Sequence, residues 1–69
     1  MIKINVYRSA GSWYAARWID GEYDGCDELG CDDNASEAEA IAHAALMPLE
    51  GCTDDDPREV NRVADAVAS

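Results

Sequence analysis

Ile2, Ile4 and Val6 alternate with Lys3, Asn5 and Tyr7, the period-two pattern of a strand with one covered face. Ser9 to Ser12, with Gly11 inside, reads as a turn, and the aromatic-rich run from Trp13 to Ile19 as a second strand. Asp20-Gly21 is a dipeptide that favours a two-residue type I′ hairpin turn. A third strand is expected from Glu22 to about Cys26, and Asp27 to Asn34 forms an acidic loop into which the strand extends if it runs on toward Leu29.

A tight turn at Asp20-Gly21 sets Ile19 against Glu22, Trp18 against Tyr23 and Arg17 against Asp24. Together with a four-residue first turn, this gathers Tyr7, Tyr14, Trp18 and Tyr23 on one face of the meander. Ile2, Ile4, Val6, Ala15 and Ile19 fall on the other, which the helices are expected to cover. An aromatic row of this kind is either a structural feature of a small sheet or a binding surface, since Tyr and Trp are favoured at interface hot spots.

Two helices are expected to follow. Ser36-Glu37-Ala38-Glu39 is a capping box, and the helix it opens runs to about Met47 before Pro48 ends it. Its core stripe reads as Ala38, Ile41, Ala42, Ala45 and Leu46. Asp56-Pro57-Arg58-Glu59 is a second box, with proline at the first helical position, opening a helix whose stripe is Val60, Val63, Ala64 and Val67. The expected fold class is therefore α+β: a small three-stranded antiparallel sheet, a meander, followed by two helices packed on one face, in a single domain covering residues 1–69.

Composition thins this picture. Of the 48% apolar residues, twelve are Ala and only eleven are Ile, Leu or Val, and Phe is absent. A chain of 69 residues with such a core holds few kcal/mol in reserve and has little room for an enclosed ligand pocket.

Charge changes the functional reading most. Thirteen acids lie between Trp18 and Pro57 with no Lys or Arg among them: Asp20, Glu22, Asp24, Asp27, Glu28, Asp32, Asp33, Glu37, Glu39, Glu50, Asp54, Asp55 and Asp56. A formal charge of −10 exceeds what solubility asks of a small domain and costs stability by self-repulsion. A basic protein partner would convert that repulsion into attraction and faster association. Direct nucleic-acid binding is disfavoured, because it runs on Lys and Arg displacing counterions from phosphates. The competing explanation is a solvated acidic surface with no partner at all. Helix starts account locally for Glu37, Glu39, Asp54, Asp55 and Asp56, and a turn for Asp20. Glu22, Asp24, Asp27, Glu28, Asp32, Asp33 and Glu50 have no such role.

The chemistry-bearing residues are sparse. His43 is the only histidine, lies off the apolar stripe one turn after Glu39, and is expected to be exposed and paired with that carboxylate. No nucleophile–base spacing, phosphate loop or paired-carboxylate motif is present, so no enzyme activity and no catalytic residue are expected. Cys26, Cys31, Cys52 and His43 have the composition of a zinc set, but the two-residue knuckle is missing. The acids from Asp24 to Asp33 lack the calcium-loop pattern, so no metal or other cofactor is expected either. Three cysteines suit reduced thiols inside a cell. With no signal-peptide pattern and no membrane-length apolar run, a cytoplasmic monomer without membrane contact is expected.

The expected partner surface comprises Asp20, Glu22, Asp24, Asp27, Glu28, Asp32 and Asp33, with Asp54, Asp55 and Asp56 as a second patch. Same-face strand neighbours such as Glu22 and Asp24 would lie roughly 6.6 Å apart, a spacing like that of successive phosphates. An Arg- and Lys-lined groove would accept such carboxylates by paired charge-assisted bonds.

In size, in its IKINVYR and WYAARWI strands, in the basic-free GEYDGCDELGCDD segment, in the ASEAEAIAHAAL helix and in its acidic character, the chain resembles the small anti-CRISPR proteins of phages and mobile elements. It is most similar to inhibitors of type I systems, type I-C first. The resemblance implies a DNA mimic, acting in the bacterial host cell, that binds the surveillance complex at the subunit reading the protospacer-adjacent motif and blocks target DNA. It carries over no family site residue. The stretch from Ile2 to Met47 also resembles the HicB-like antitoxins, three strands followed by a helix, which neutralise a basic ribonuclease toxin. The separate DNA-binding domain usual there is missing, and the expected second helix is a departure from that pattern.

Overall fold

The computed structural model describes residues 1–49 and 57–65. Three strands open it: β1 (Ile2–Ser9), β2 (Ser12–Ile19) and β3 (Glu22–Glu28). Helix α1 (Glu37–Leu46) and strand β4 (Arg58–Arg62) follow. The four strands form one mixed sheet in the order β3-β2-β1-β4, antiparallel except for the parallel pair β1·β4.

Both hairpins turn where the sequence says they must. Ala10 and Gly11 have φ of 52° and 85°, and Asp20 and Gly21 have 51° and 86°, so each two-residue loop takes the positive angles that match the twist of the flanking strands. The register of β1 on β2 pairs Tyr7 with Tyr14 and Val6 with Ala15, which puts Ile2, Ile4, Val6 and Ala15 on the covered face as expected. β3 takes the extension toward Leu29. Asp27 and Glu28 are strand residues, and the Leu29 N–H continues the pairing by donating to the Trp13 carbonyl over 2.9 Å.

The expected fold of a three-stranded antiparallel sheet under two helices is overturned: the sheet has four strands and is mixed, and the described residues hold one helix. The second-helix signal at Pro57 to Val63 yields instead to β4, whose Ile4↔Val60 and Val6↔Arg62 register lies along the free edge of β1. The local sequence allows this, because Arg58, Val60 and Arg62 alternate with Glu59 and Asn61, and neither Val nor Asn favours a helix. Pairing satisfies a whole row of β1 backbone groups, which a helix there would leave open. Of the second expected stripe, Val67 lies outside the described residues, as do Glu50, Cys52, Asp54, Asp55 and Asp56.

Helix α1 begins as its capping box requires, with Ser36 Oγ accepting from the Glu39 N–H at 3.2 Å. Its buried positions are Ala40 and Ala44, not the expected Ala38, Ala42, Ala45 and Leu46; Leu46 is 84% exposed. An alanine-rich helix carries little apolar contrast to fix its rotation, so its tertiary contacts decide. The Ala40–Ala44 lane lets α1 settle on β1 and β4 around Ile4, Val6 and Val60. The Arg58 guanidinium then holds its last turn, Nη1 lying 3.1, 2.9 and 3.0 Å from the carbonyls of Ala44, Ala45 and Met47. That is a cation placed at the negative end of the helix.

Candidate functional site: an acidic strand edge and loop

β3 is an edge strand, and Glu22, Tyr23, Asp24, Cys26, Asp27 and Glu28 on it are exposed. Five carboxylates of the expected surface divide on this strand and its turn. Asp20 sits in the turn with Oδ1 2.6 Å from the N-terminal ammonium, whose hydrogen bond holds the carboxyl below the usual carboxylate range. Asp24 and Asp27 both pair with Arg17: Nε lies 3.5 Å from Asp24 Oδ2, and Nη1 meets Asp27 Oδ2. Asp27 is the main reason the Arg17 guanidinium is held charged more firmly than usual, opposed by its own burial. Glu22 and Glu28 have no cation partner among the described residues.

The expected phosphate-like ladder does not form. A bulge falls between Arg17 and Trp18, so Arg17 faces Gly25 rather than Asp24, while Trp18 faces Tyr23 and Ile19 faces Glu22 as expected. Asp24 is the extra residue on the bulged strand, which breaks the two-residue alternation that would have aligned Glu22 with Asp24. Gly25 accommodates the bend with φ of 105°, and a Cβ there would stand 3.3 Å from Arg17 Nη2. The bulge and the acids also keep this edge from pairing with another sheet.

The loop after β3 is built rather than loose. Asp32 Oδ1 accepts from the Asn34 N–H at 3.0 Å and the Asp32 carbonyl from the Ala35 N–H at 2.9 Å. Arg8 ties the loop to the first hairpin, Nη2 donating to the carbonyls of Gly11 (3.0 Å) and Asp33 (3.1 Å). The Arg8 bonds use backbone oxygens, and the Asp33 carboxylate stays exposed and without a cation among the described residues. The strand and loop thus leave Glu22, Glu28, Asp32 and Asp33 exposed, with Glu22 in register with Ile19 of the covered face and Glu28 with Tyr14 of the open one. The second expected patch, Asp54 to Asp56, lies outside the described residues.

The arginines explain why these carboxylates stay uncompensated among the described residues. Register places Arg8, Arg17, Arg58 and Arg62 all on the helix-covered face, where Arg8 faces Trp13, Arg17 faces Ile4, Arg58 faces Ile2 and Arg62 faces Val6. Arg8 and Arg62 each lie 5.0 Å from the Trp13 ring centroid, and the Trp13 Nε1–H donates to the Ala35 carbonyl at 3.0 Å. Arg62 Nη2 is 2.7 Å from Asp65 Oδ1. Its Nε is 3.0 Å from Glu37 Oε1, close enough for attraction but out of line for a hydrogen bond. The Arg8 backbone N–H, with help from Arg62, holds the Asp65 carboxyl below its ordinary value. Every arginine therefore has structural work beneath or beside the helix. Sequence order alone could not show this, because Arg8, Arg17, Arg58 and Arg62 stand on three different strands.

The chemistry-bearing residues do not converge. His43 is exposed as expected, but it makes no pair with Glu39. Among the described residues no group of three or more His, Cys, Asp or Glu is placed to hold a metal ion. Cys26 and Cys31 are free thiols, the first exposed and the second packed against the core. No helix of the described residues is long and apolar enough to cross a membrane. The chain matches no protein-family model, no curated protein and no solved structure.

Proposed function

We propose that the chain is a non-catalytic binding protein whose acidic strand edge and loop occupy a basic groove on a partner protein. The observation that carries this reading is the engagement of all four arginines on the helix-covered face, which leaves the carboxylates of Glu22, Glu28, Asp32 and Asp33 without an ion pair among the described residues. Self-repulsion at a net charge of −10 is then relieved on docking rather than within the fold. With the resemblance to small anti-CRISPR proteins, the partner is the DNA-binding subunit of a type I CRISPR surveillance complex in the bacterial cytoplasm. Occlusion of target DNA is the mechanism. The bulge at Asp24 means that this occlusion works by charge and shape at the edge, not by a regular copy of phosphate spacing.

A second reading, a HicB-like antitoxin, is favoured by one observation. The second helix that set the chain apart from that family is replaced by β4, so the three-stranded meander followed by one helix stands without that departure. Purified protein immobilised at two salt concentrations separates the readings. Salt-sensitive capture of a type I surveillance complex with loss of its DNA binding supports the first. Capture of a small basic ribonuclease with loss of RNA cleavage supports the second, and capture of neither defeats both.

A further inference from the structure

The sheet face opposite α1 is uncovered among the described residues, and its side chains fall in three rows across the strands. Tyr23, Trp18, Lys3 and Glu59 form one row, Cys26, Ala16, Asn5 and Asn61 the next, and Glu28, Tyr14 and Tyr7 the third. Trp18 meets Tyr23 edge-on at 5.3 Å, and Tyr7 stacks on Tyr14 at 5.9 Å. Short side chains therefore floor a groove walled by two aromatic pairs. At the Trp18 end the groove opens into a cavity of about 490 Å³ lined by Met1, Lys3, Asn5, Trp18, Gly21 and Glu59. Its lining thus includes an indole, a carboxylate (Glu59) and an amide (Asn5). Asn5 Oδ1 is buried without a hydrogen-bond partner.

We infer that this cavity receives an arginine side chain of the protein partner, making the open face a second contact beside the acidic edge. The inference rests on the basic-partner reading. A guanidinium satisfies all three features at once: its plane stacks on Trp18, its fork reaches the Glu59 carboxylate, and it brings the donor that Asn5 Oδ1 lacks. A lysine ammonium supplies charge but neither the plane nor the fork. A second copy of the chain is the wrong occupant, since two surfaces of the same strongly negative protein repel. Lys3, in register with Glu59, competes for the same carboxylate, whereas the N-terminal ammonium of Met1 is engaged by Asp20.

Nine-residue polyarginine and polylysine peptides, titrated at low salt into the full chain and followed by NMR, test the assignment. Polyarginine should bind roughly 3- to 10-fold more tightly than polylysine, the span of a partly desolvated guanidinium–indole contact. The Trp18 indole N–H signal should move while that of Trp13, already bonded to Ala35, stays put. Trp18→Leu should erase most of the arginine preference, and Lys3→Gln should strengthen binding of both peptides. Tyr23→Ser, at a residue 62% exposed, is the variant that spares the fold, and it should weaken polyarginine more than polylysine. Equal affinities, a still Trp18 signal and no effect of Tyr23→Ser overturn the arginine cavity. If binding in that case is nevertheless lost in Glu28→Lys with Asp33→Lys, the acidic-edge reading survives. Failure of both peptides to bind overturns the two together.

Discussion

Replacing Arg58 with methionine keeps the apolar stem of the side chain and removes the group that closes α1. Arg58 Nη1 lies within 3.1 Å of three carbonyls at the helix end, those of Ala44, Ala45 and Met47. One nitrogen has two hydrogens to share among them, so the loss amounts to about two charge-assisted bonds rather than three. A hydrogen bond to a charged group contributes about 1.5–3 kcal/mol, and a cation at a partly buried helix C-terminus up to about 2 kcal/mol. These overlap, because the same contacts carry both, and the expected loss is about 2 kcal/mol. For a domain holding roughly 3–5 kcal/mol in total, that is half of its stability. In urea, at a slope of about 1 kcal/mol per molar for so small a chain, the midpoint should fall by about 2 M. Arg58→Lys should fall between the two, since an ammonium keeps the charge but not the reach. If residues 57–63 were instead the exposed helix that their sequence suggests, Arg58 would sit at its solvated start and the change would stay within about 0.5 kcal/mol. A shift that small would refute β4 as well as the cap.

Three further outcomes follow from the same geometry. Gly25→Ala should destabilise by about 1–2 kcal/mol in the same urea assay, since Gly25 has φ of 105° and an added Cβ would crowd Arg17 Nη2. Asp65 has a folded-state carboxyl held below its ordinary value, so its contribution is present above about pH 4 and lost as pH falls through the depressed value. Asp65→Asn should therefore lower stability at pH 7 by an amount that shrinks as the solution is acidified; a loss that does not change with pH would show that the group acts by packing. The Tyr7 hydroxyl is pushed up to about 12 by its 2.8 Å hydrogen bond to Cys26 Sγ and by burial. In an ultraviolet titration Cys26→Ala should bring one tyrosine back toward the ordinary range near about 10.

Much of the fold was legible because local signals and tertiary needs agreed. Gly11 and Asp20-Gly21 accept positive φ, and the alternation of Ile2, Ile4 and Val6 leaves one way to bury them, so the hairpins and their faces follow from the chain itself. Ser36 announced α1 for the same reason. The second helix failed because Pro57 and Glu59 signal a helix locally, whereas the open edge of β1, invisible in a list of residues, offers Val60 a whole ladder. The stripe of α1 failed because alanines give little direction, and β4 with its Arg58 sets the rotation. At the site, the one-sided distribution of acids was plain in the sequence. The loss of Asp24 and Asp27 to Arg17 and the bulge that breaks their spacing were not, since both depend on the register of β2 on β3.

Target-DNA binding by a purified type I CRISPR surveillance complex, measured with the unsubstituted protein and with Glu22→Lys, Glu28→Lys and Asp33→Lys combined, tests the central claim most directly. These three residues carry no intramolecular ion pair among the described residues, so the variant should keep its fold. The account predicts that the unsubstituted protein displaces DNA, less so at higher salt, and that the folded variant does not. Displacement unchanged by the three reversals would contradict it.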